Sequence, residues 1–515
     1  MKKRTLSIVS FVCALTIITA CFAGCGRDCK GGDKYAQLDR SCVFGIDEPI
    51  LECLDYTFNP STGEFRHSVE NFNLETTAYL AGAIGAKSIR FRFPLAFMRS
   101  ATEYDVNMFN YLKRASELLR QNGVTQLIGM LDVFPQDTGF VAETSKAVPD
   151  LNDAHYKEWM ESVYLHTKTI VALFPEIKMW EMGNEMNSEV FFHPNGYDAS
   201  GGLTQGSGGF EWDEHVKIYT DYMYYMAKGI HEVNPQNVAF TGGYAFKNGA
   251  IGNYESIAWF IADTYSLIKS GSAPTTLPES VRSKNPRDFF DGLSWHPYAT
   301  KKDVGVDERW LDGNNMIYKV AIDNGDEGIP VIFTEFGFHA TEEQTELYEK
   351  EMEWMETAYE YMLNDMPYVV ACCAFRLYRC KSLVSWGGSR QDFWGYFSED
   401  LDGTGNHPRE KAYRLQAIYG GTGDLNKYAF CSVRFDTNGG NPVKPQKISV
   451  NGKVVQPAAI TRKPDAVNEY EFDGWYYGDR KWNFETDNVK GNMTLTARWK
   501  ISNSYTNEFL PSGIV

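Results

Sequence analysis

At 515 residues the chain has room for more than one domain and for a sizeable core. A hydrophobic share of 43% and an aromatic share of 14% exclude a disordered polymer. The formal charge of −17 repels phosphate backbones, so nucleic acid is set aside as a partner, whereas neutral sugars feel no such field.

Residues 1–25 form an export leader rather than part of the fold. Lys2-Lys3-Arg4 supply the basic end, and Leu6 to Phe22 is an apolar run, marginal in length for a membrane span. Phe22-Ala-Gly-Cys25 resembles the lipobox of bacterial lipoproteins, with Ile18-Thr-Ala-Cys21 as a second, poorer match. The resemblance implies lipidation of Cys25 and an extracellular protein anchored to the bacterial cell membrane. Residues 26–40 then serve as a tether. Cleavage there leaves Cys29, Cys42, Cys53, Cys372, Cys373, Cys380 and Cys431, whose spacing matches no zinc pattern and demands no disulfide. No metal or cofactor is expected. Cys372 and Cys373 lie inside an apolar run and are expected as buried thiols.

From residue 41 to 425 short apolar runs alternate with longer amphipathic ones, the pattern of repeated strand–helix units. The strands are expected at 42–47, 87–93, 125–132, 177–182, 237–241, 292–296, 331–335 and 368–375. Helices are expected at 70–84, 106–121, 153–173, 214–232, 254–269, 310–324, 342–363 and 408–418. Eight such pairs fit an α/β fold, a (β/α)8 TIM barrel with a buried parallel sheet. A doubly wound sheet is the alternative, but no Gly-rich phosphate loop follows the first strand. The loops after barrel strands build the active face, and the longest here follow the fourth and eighth strands.

The fourth strand belongs to Lys178-Met-Trp-Glu-Met-Gly-Asn-Glu185-Met-Asn187, with Gly183 as its expected end. Asn184 and Glu185 would sit at its carboxyl end, where Glu185 can protonate a leaving oxygen and Asn184 can hold a neighbouring hydroxyl. A solvated Asn-Glu at a loop start is the bland alternative. A second strand-end glutamate, in Val331-Ile-Phe-Thr-Glu335-Phe-Gly337, outweighs it. With these two glutamates on strands four and seven, the barrel resembles clan A of the glycoside hydrolases, family 5-like or related. The resemblance implies Glu185 as acid/base and Glu335 as nucleophile of a retaining β-glycosidase. Phe91-Arg92-Phe-Pro94 resembles the clan's strand-two arginine motif, and Trp295-His296-Pro-Tyr298 its strand-six His and Tyr. On that basis Arg92 and Tyr298 hold Glu335 ionised, and His296 lines the sugar-binding floor. Taken singly, Arg92 could equally be an interior salt bridge and His296 a satisfied core histidine. Trp386 and Trp394, in the loop after strand eight, can stack on sugar rings, with packing as the alternative for each. Trp212 and Trp310 are expected to pack helices.

The match departs from family 5 at two places. Leu131-Asp-Val-Phe134 lacks that family's strand-three histidine, and Ala374-Phe-Arg-Leu377 lacks its strand-eight tryptophan. Gly-Asn-Glu is also similar to arabinofuranosidases and xylosidases of the clan. The expected partner is a β-linked polysaccharide or oligosaccharide of β-glucan, mannan or xylan type. A non-catalytic surface carbohydrate-binding lipoprotein or adhesin is the competing class, since an anchor and a surface module suit it equally.

After Gly420-Gly421 the composition changes. Residues 428–500 carry strand patterns with turns at Asn438-Gly-Gly440 and Asn451-Gly452. Phe435-Asp-Thr-Asn-Gly-Gly440, Phe472-Asp-Gly-Trp-Tyr476 and Leu495-Thr-Ala-Arg-Trp499 closely resemble the Listeria–Bacteroides repeat, the internalin-B-type B repeat. The resemblance implies a small β-rich, grasp-like module of bacterial surface proteins. Residues 501–515 are expected as a polar, mobile tail.

Overall fold

The eight apolar runs pair side by side as parallel strands, because each is buried on both faces and returns through a helix. The computed structural model describes residues 43–47, 50, 54–59, 64–67, 73–198, 207–247, 250–299, 305–341, 344–379, 394–398, 406–465 and 468–504. β1 (Phe44–Asp47) is followed by an antiparallel hairpin, β2 (Leu54–Asn59) and β3 (Glu64–His67), and then by α1 (Leu74–Ile84). Next come β4 (Ser88–Phe93) and α2 (Val106–Gln121), then β5 (Gln126–Leu131) and α3 (Tyr156–Leu173). The pairs β6 (Met179–Asn184) and α4 (Trp212–Val233), then β7 (Val238–Gly243) and α5 (Tyr254–Ser270), continue the alternation. It ends with β8 (Leu293–Ser294) and α6 (Glu308–Asp323), β9 (Val331–Phe336) and α7 (Thr345–Asn364), and β10 (Val369–Ala374). Three two-residue strands, β11 (Tyr378–Arg379), β12 (Phe397–Ser398) and β13 (His407–Pro408), separate β10 from α8 (Glu410–Tyr419).

Strand neighbours run β7-β6-β5-β4-β1-β10-β9-β8, all parallel. Parallel bridges Phe240↔Gly292 and Tyr244↔Trp295 join β7 to β8 and close the barrel. β6 is thus the fourth barrel strand and β9 the seventh. Four of the described α-helices start behind acidic or amide caps that satisfy their first amides. Asp105 accepts from the backbone of Asn107 and Met108 ahead of α2, and Asp307 from Arg309 and Trp310 ahead of α6. The expected boundaries hold to within a few residues, except that β8 keeps only two residues in its regular ladder. β6 also runs on through Gly183 to Asn184.

The barrel core is rich in aromatic rings, with Trp159, Trp180, Trp295 and Trp310 fully buried. Trp180 stacks on Phe93 at 5.9 Å, so these two face the helices while their strand neighbours face the barrel interior. Trp212 is half-buried, and its indole donates to Asp263. Cys372 and Cys373 are buried free thiols, and Cys431 is buried as well. The leader, Cys25 and Trp386 lie outside the described residues. Among those described, no helix is long and apolar enough to cross a membrane.

A second sheet follows the barrel: β14 (Phe430–Asp436), β15 (Gln446–Ser449), β16 (Asn468–Tyr477), β17 (Arg480–Lys481) and β18 (Met493–Ser504), in the order β15-β14-β18-β16-β17. β14 and β18 pair parallel and the other neighbours antiparallel. This sheet carries its own core, centred on Val433, Trp475, Leu495 and Ala497. Phe435 and Phe472 meet the Trp475 ring edge-on at 5.0 and 5.7 Å. Because β18 reaches Ser504, residues 501–504 belong to the module and not to a tail. Trp475→Ala should destabilise the module by about 3–5 kcal/mol through loss of its central ring. Scanning calorimetry should then record an earlier module transition with the barrel transition in place.

Candidate active site

A buried guanidinium crosses the barrel interior. Ser88, Arg90 and Arg92 share the inward face of β4, whereas Ile89, Phe91 and Phe93 face the helices. Arg90 is 1% exposed and lies one layer deeper than Arg92. Its Nη1 donates to Glu335 Oε1 at 2.6 Å and to Asp47 Oδ1 at 3.1 Å. Nη2 donates to Asn184 Oδ1 at 2.6 Å and Glu181 Oε1 at 3.2 Å, and Nε to Glu181 Oε2 at 2.7 Å. All five guanidinium hydrogens therefore have acceptors.

This corrects the reading of the strand-two motif. The arginine that holds Glu335 is Arg90, and Arg92 instead binds Asp132 at 2.8 Å, with Lys146 at 2.9 Å from the same carboxylate oxygen. The cause is depth: two residues along a strand keep the same face but lie about 7 Å apart along the strand. Asp132 is held well below the usual carboxylate range: its burial would raise it, but the charges of Lys146 and Arg92 prevail.

Glu335, on β9, accepts from Arg90 through one oxygen and from the Tyr298 hydroxyl through the other, at 2.8 Å. Burial alone would raise its pKa, but the nearby His296 ring, the Arg90 charge and the hydrogen bonds from Tyr298 and Arg90 prevail, pushing it down to about 2. Glu185 follows β6 with a positive φ of 51°, a conformation stabilised by its amide's bond to the Gly243 carbonyl at 2.9 Å. Gly183, at φ 95°, makes the preceding bend, and a Cβ there would lie 2.4 Å from Met186 Sδ. Glu185 has its pKa raised, chiefly by burial and further by the Glu335 charge, although His296 and Arg90 oppose the shift. The two carboxyls are thus pushed apart in acidity.

His296 is fully buried between them, with Nδ1 2.9 Å from Glu185 Oε1 and 3.5 Å from Glu335 Oε2. Ligand atoms of Glu185, His296 and Glu335 lie within 4.8 Å of one another, a set that could also grip a divalent cation. Arg90, with its permanent charge 2.6 Å from Glu335, opposes a cation there. Asn184 turns its oxygen to Arg90, which leaves its NH2 as the group available to a ligand hydroxyl. Trp394 is half-buried against the Tyr298 ring at 5.1 Å and stacks on His339 at 5.4 Å.

Sequence reading passed over Arg90, Asp47, Glu181 and Thr334. A charged residue between Trp180 and Met182 in a buried strand was the available signal for Glu181, since it must find its partner inside the barrel.

Residues 432–498 match the model of the Listeria-Bacteroides repeat domain. The chain is 32% identical over 93 residues to a Gly-rich membrane protein of Evansella cellulosilytica, over 18% of this chain and 10% of that protein. A membrane protein of the same organism is 34% identical over 83 residues, 16% of this chain and 11% of its own. The chain thus spans about a tenth of the length of these relatives. Among solved structures, a family 39 glycoside hydrolase from the gut symbiont Bacteroides cellulosilyticus WH2 has a TM-score of 0.44 at 14% identity, covering 71% of this chain and 64% of that one. A rice β-glucosidase has a TM-score of 0.48 at 13% identity, covering 75% and 99%. A β-glucosidase from Thermotoga maritima has 0.47 at 12% identity, covering 75% and 98%.

Arg90→Gln should cost about 3–5 kcal/mol, because it leaves the carboxylates of Asp47, Glu181 and Glu335 buried without their cation. Arg92→Gln should cost less, since Lys146 still neutralises Asp132. Chemical denaturation of the two variants checks the order, which reverses if Arg92 is the central residue.

Proposed function

We propose that this chain is a retaining β-glycoside hydrolase that cleaves β-linked polysaccharide or oligosaccharide of β-glucan, mannan or xylan type. The observation that carries the reading is the pair of strand-end carboxyls, close together and pushed towards opposite protonation states by their surroundings. Retaining glycosidases need carboxyl groups about 5–5.5 Å apart, whereas inverting ones leave about 6.5–9.5 Å for a water. The oxygens facing His296 here, within 4.8 Å of each other, suit the shorter spacing.

In this mechanism Glu335, kept ionised by Arg90 and Tyr298, attacks the anomeric carbon and forms a glycosyl ester. Glu185, kept protonated, gives its proton to the departing oxygen, then takes one from the water that hydrolyses the ester. The Asn184 amide donates to a hydroxyl beside the reacting carbon. Trp394 offers an aromatic face next to Tyr298 for a sugar ring.

Glu335→Ala should abolish formation of the glycosyl-enzyme. Glu185→Ala should slow natural substrates about 10²–10⁴-fold, the usual worth of a general acid, yet spare glycosylation by activated aryl glycosides. Azide should rescue turnover of those aryl glycosides by the Glu185 variant as a β-glycosyl azide. The pH profile of kcat/KM should keep its acid limb below the ordinary carboxyl range, since Glu335 resists protonation down to about pH 2. Its basic limb should lie above the ordinary glutamate value, because Glu185 loses its proton late. NMR of the first-formed anomer tests the stereochemistry, and net inversion refutes the assignment. Binding of oligosaccharide without cleavage at any pH would favour the adhesin-like class.

The basic and apolar leader ending at Cys25 supports export and lipid anchoring, with the catalytic barrel tethered outside the cytoplasmic membrane. Metabolic labelling with palmitate should mark the wild-type chain and leave Cys25→Ser unmarked. Equal labelling of both would refute lipidation at this residue.

A further inference from the structure

Beneath the two carboxyls lies a buried chain of hydrogen bonds that the catalytic reading leaves without a task. We infer that Thr334 is a positioning residue that fixes which nitrogen of His296 carries hydrogen, and thereby holds the acid proton on the Glu185–His296 pair. The inference rests on the glycosidase reading for its kinetic consequence, and on hydrogen-bond geometry for the imidazole itself.

The argument follows the hydrogens. Thr334 Oγ1 lies 2.5 Å from Glu181 Oε1, and contact that close between a hydroxyl and a carboxylate requires the hydroxyl proton between them. Glu181 Oε1 also accepts from the Gly243 amide at 2.9 Å and Ser294 Oγ at 3.3 Å, so it has only acceptor duties here. Ser294 Oγ, 3.0 Å from Thr334 Oγ1, can give its proton to either oxygen without releasing that of Thr334. Thr334 therefore meets His296 Nε2, 3.1 Å away, with lone pairs alone, and Nε2 must be the protonated nitrogen. Gly243 is part of this packing, since a Cβ there would lie 2.2 Å from Nε2, 2.7 Å from Thr334 Oγ1 and 2.8 Å from Glu181 Oε1.

With Nε2 protonated, the neutral form of His296 turns the lone pair of Nδ1 towards Glu185 and Glu335. Facing two carboxylates, that lone pair is repulsive unless a proton lies on the 2.9 Å line to Glu185. The acid proton is therefore retained by the pair. The opposite tautomer would donate from Nδ1 to Glu185, stabilise its anion and disarm the acid. Among the described residues, besides each other, the ionisable groups facing Glu185 and His296 are Glu335 on β9 and Arg90 on β4. Tyr298, after β8, meets the His296 ring edge-on at 6.2 Å and donates to Glu335, whereas Asp47 on β1 reaches them through Arg90 and Glu181 on β6 through Thr334.

Thr334→Val keeps the shape and removes the hydroxyl, and Thr334→Ser keeps the hydroxyl. Two-bond ¹H–¹⁵N correlation of ring-labelled histidine, with His296 assigned by His296→Gln, should report Nε2 protonated in the wild type and in Thr334→Ser. Thr334→Val should gain the Nδ1–H form. On a glycoside with a poor leaving group, Thr334→Val should move the basic limb of kcat/KM down by about one pH unit, a tenfold loss on that limb. Thr334→Ser should restore the limb, and glycosylation by an activated aryl glycoside should be unaffected in both. A wild-type Nε2 without hydrogen overturns the proposal, as does an unmoved limb in Thr334→Val or an equal shift in both variants. A wild-type enzyme that hydrolyses no glycoside refutes the glycosidase reading instead, and the ¹⁵N spectra still decide the state of His296.

Discussion

Everything at the mouth of the barrel depends on the burial of Arg90. A guanidinium taken out of water is stable only when each of its hydrogens has an acceptor and its charge has partners. Here the acceptors come from β1, β6 and β9, with Arg90 itself on β4. The residue works as a rivet through the barrel interior as well as a charge. Its planar fork fixes the Asn184 amide, one oxygen of Glu335 and the whole Glu181 carboxylate at once, which a lysine with a point charge could not do.

The same arrangement leaves the interior with more carboxyl groups than permanent cations. Asp47, Glu181, Glu335 and Glu185 surround one guanidinium and one imidazole. Such a surplus is tolerable if one carboxyl stays protonated, and burial together with the Glu335 charge selects Glu185 for that state. On the proposed reading the surplus has a use. Glycoside cleavage passes through a transition state with oxocarbenium-like positive charge, and a fixed negative surround favours that charge without reorganising at the moment of reaction. The structure that solves the ionisation problem of the resting site is then also the one that favours the reaction.

The alternation of strands and helices was legible because it depends on local periodicity and capping. The helix 106–121 was placed to the residue by its amphipathic pattern, and the structure adds Asp105 as the cap ahead of it. The hairpin of β2 and β3 went unseen, although Asn59-Pro-Ser-Thr-Gly63 is a turn signal between two alternating runs. Glu185 and Glu335 were found because strand ends can be counted along the chain. Arg90 was missed for a different reason. Two arginines two residues apart share a face, and only the depth reached in the closed barrel distinguishes the one beside Glu335 from the one beside Asp132. The Thr334–Glu181 contact joins residues 153 apart, and no local pattern reveals it.

That separation also explains why fold and chemistry cannot be uncoupled in this barrel. The partners of Arg90 lie 43, 91, 94 and 245 residues away along the chain, so their arrangement vanishes on unfolding. Glu335 then returns to an ordinary carboxyl pKa. Its depressed value in the folded state means that its ionisation favours folding above the ordinary glutamate range, and that this contribution fades as pH falls towards 2. Glu185 has the opposite sign, because its raised value makes its ionisation oppose folding once pH exceeds the ordinary range. The pair therefore confines the intact site to a pH window bounded by the same two protonations that the proposed chemistry requires. In the C-terminal module, by contrast, pairs such as Arg498–Asp479 are solvent-exposed and weak, and the aromatic cluster around Trp475 holds the sheet together. Stability there rests on apolar burial, whereas in the barrel it is tied to the ionisation of Glu185 and Glu335.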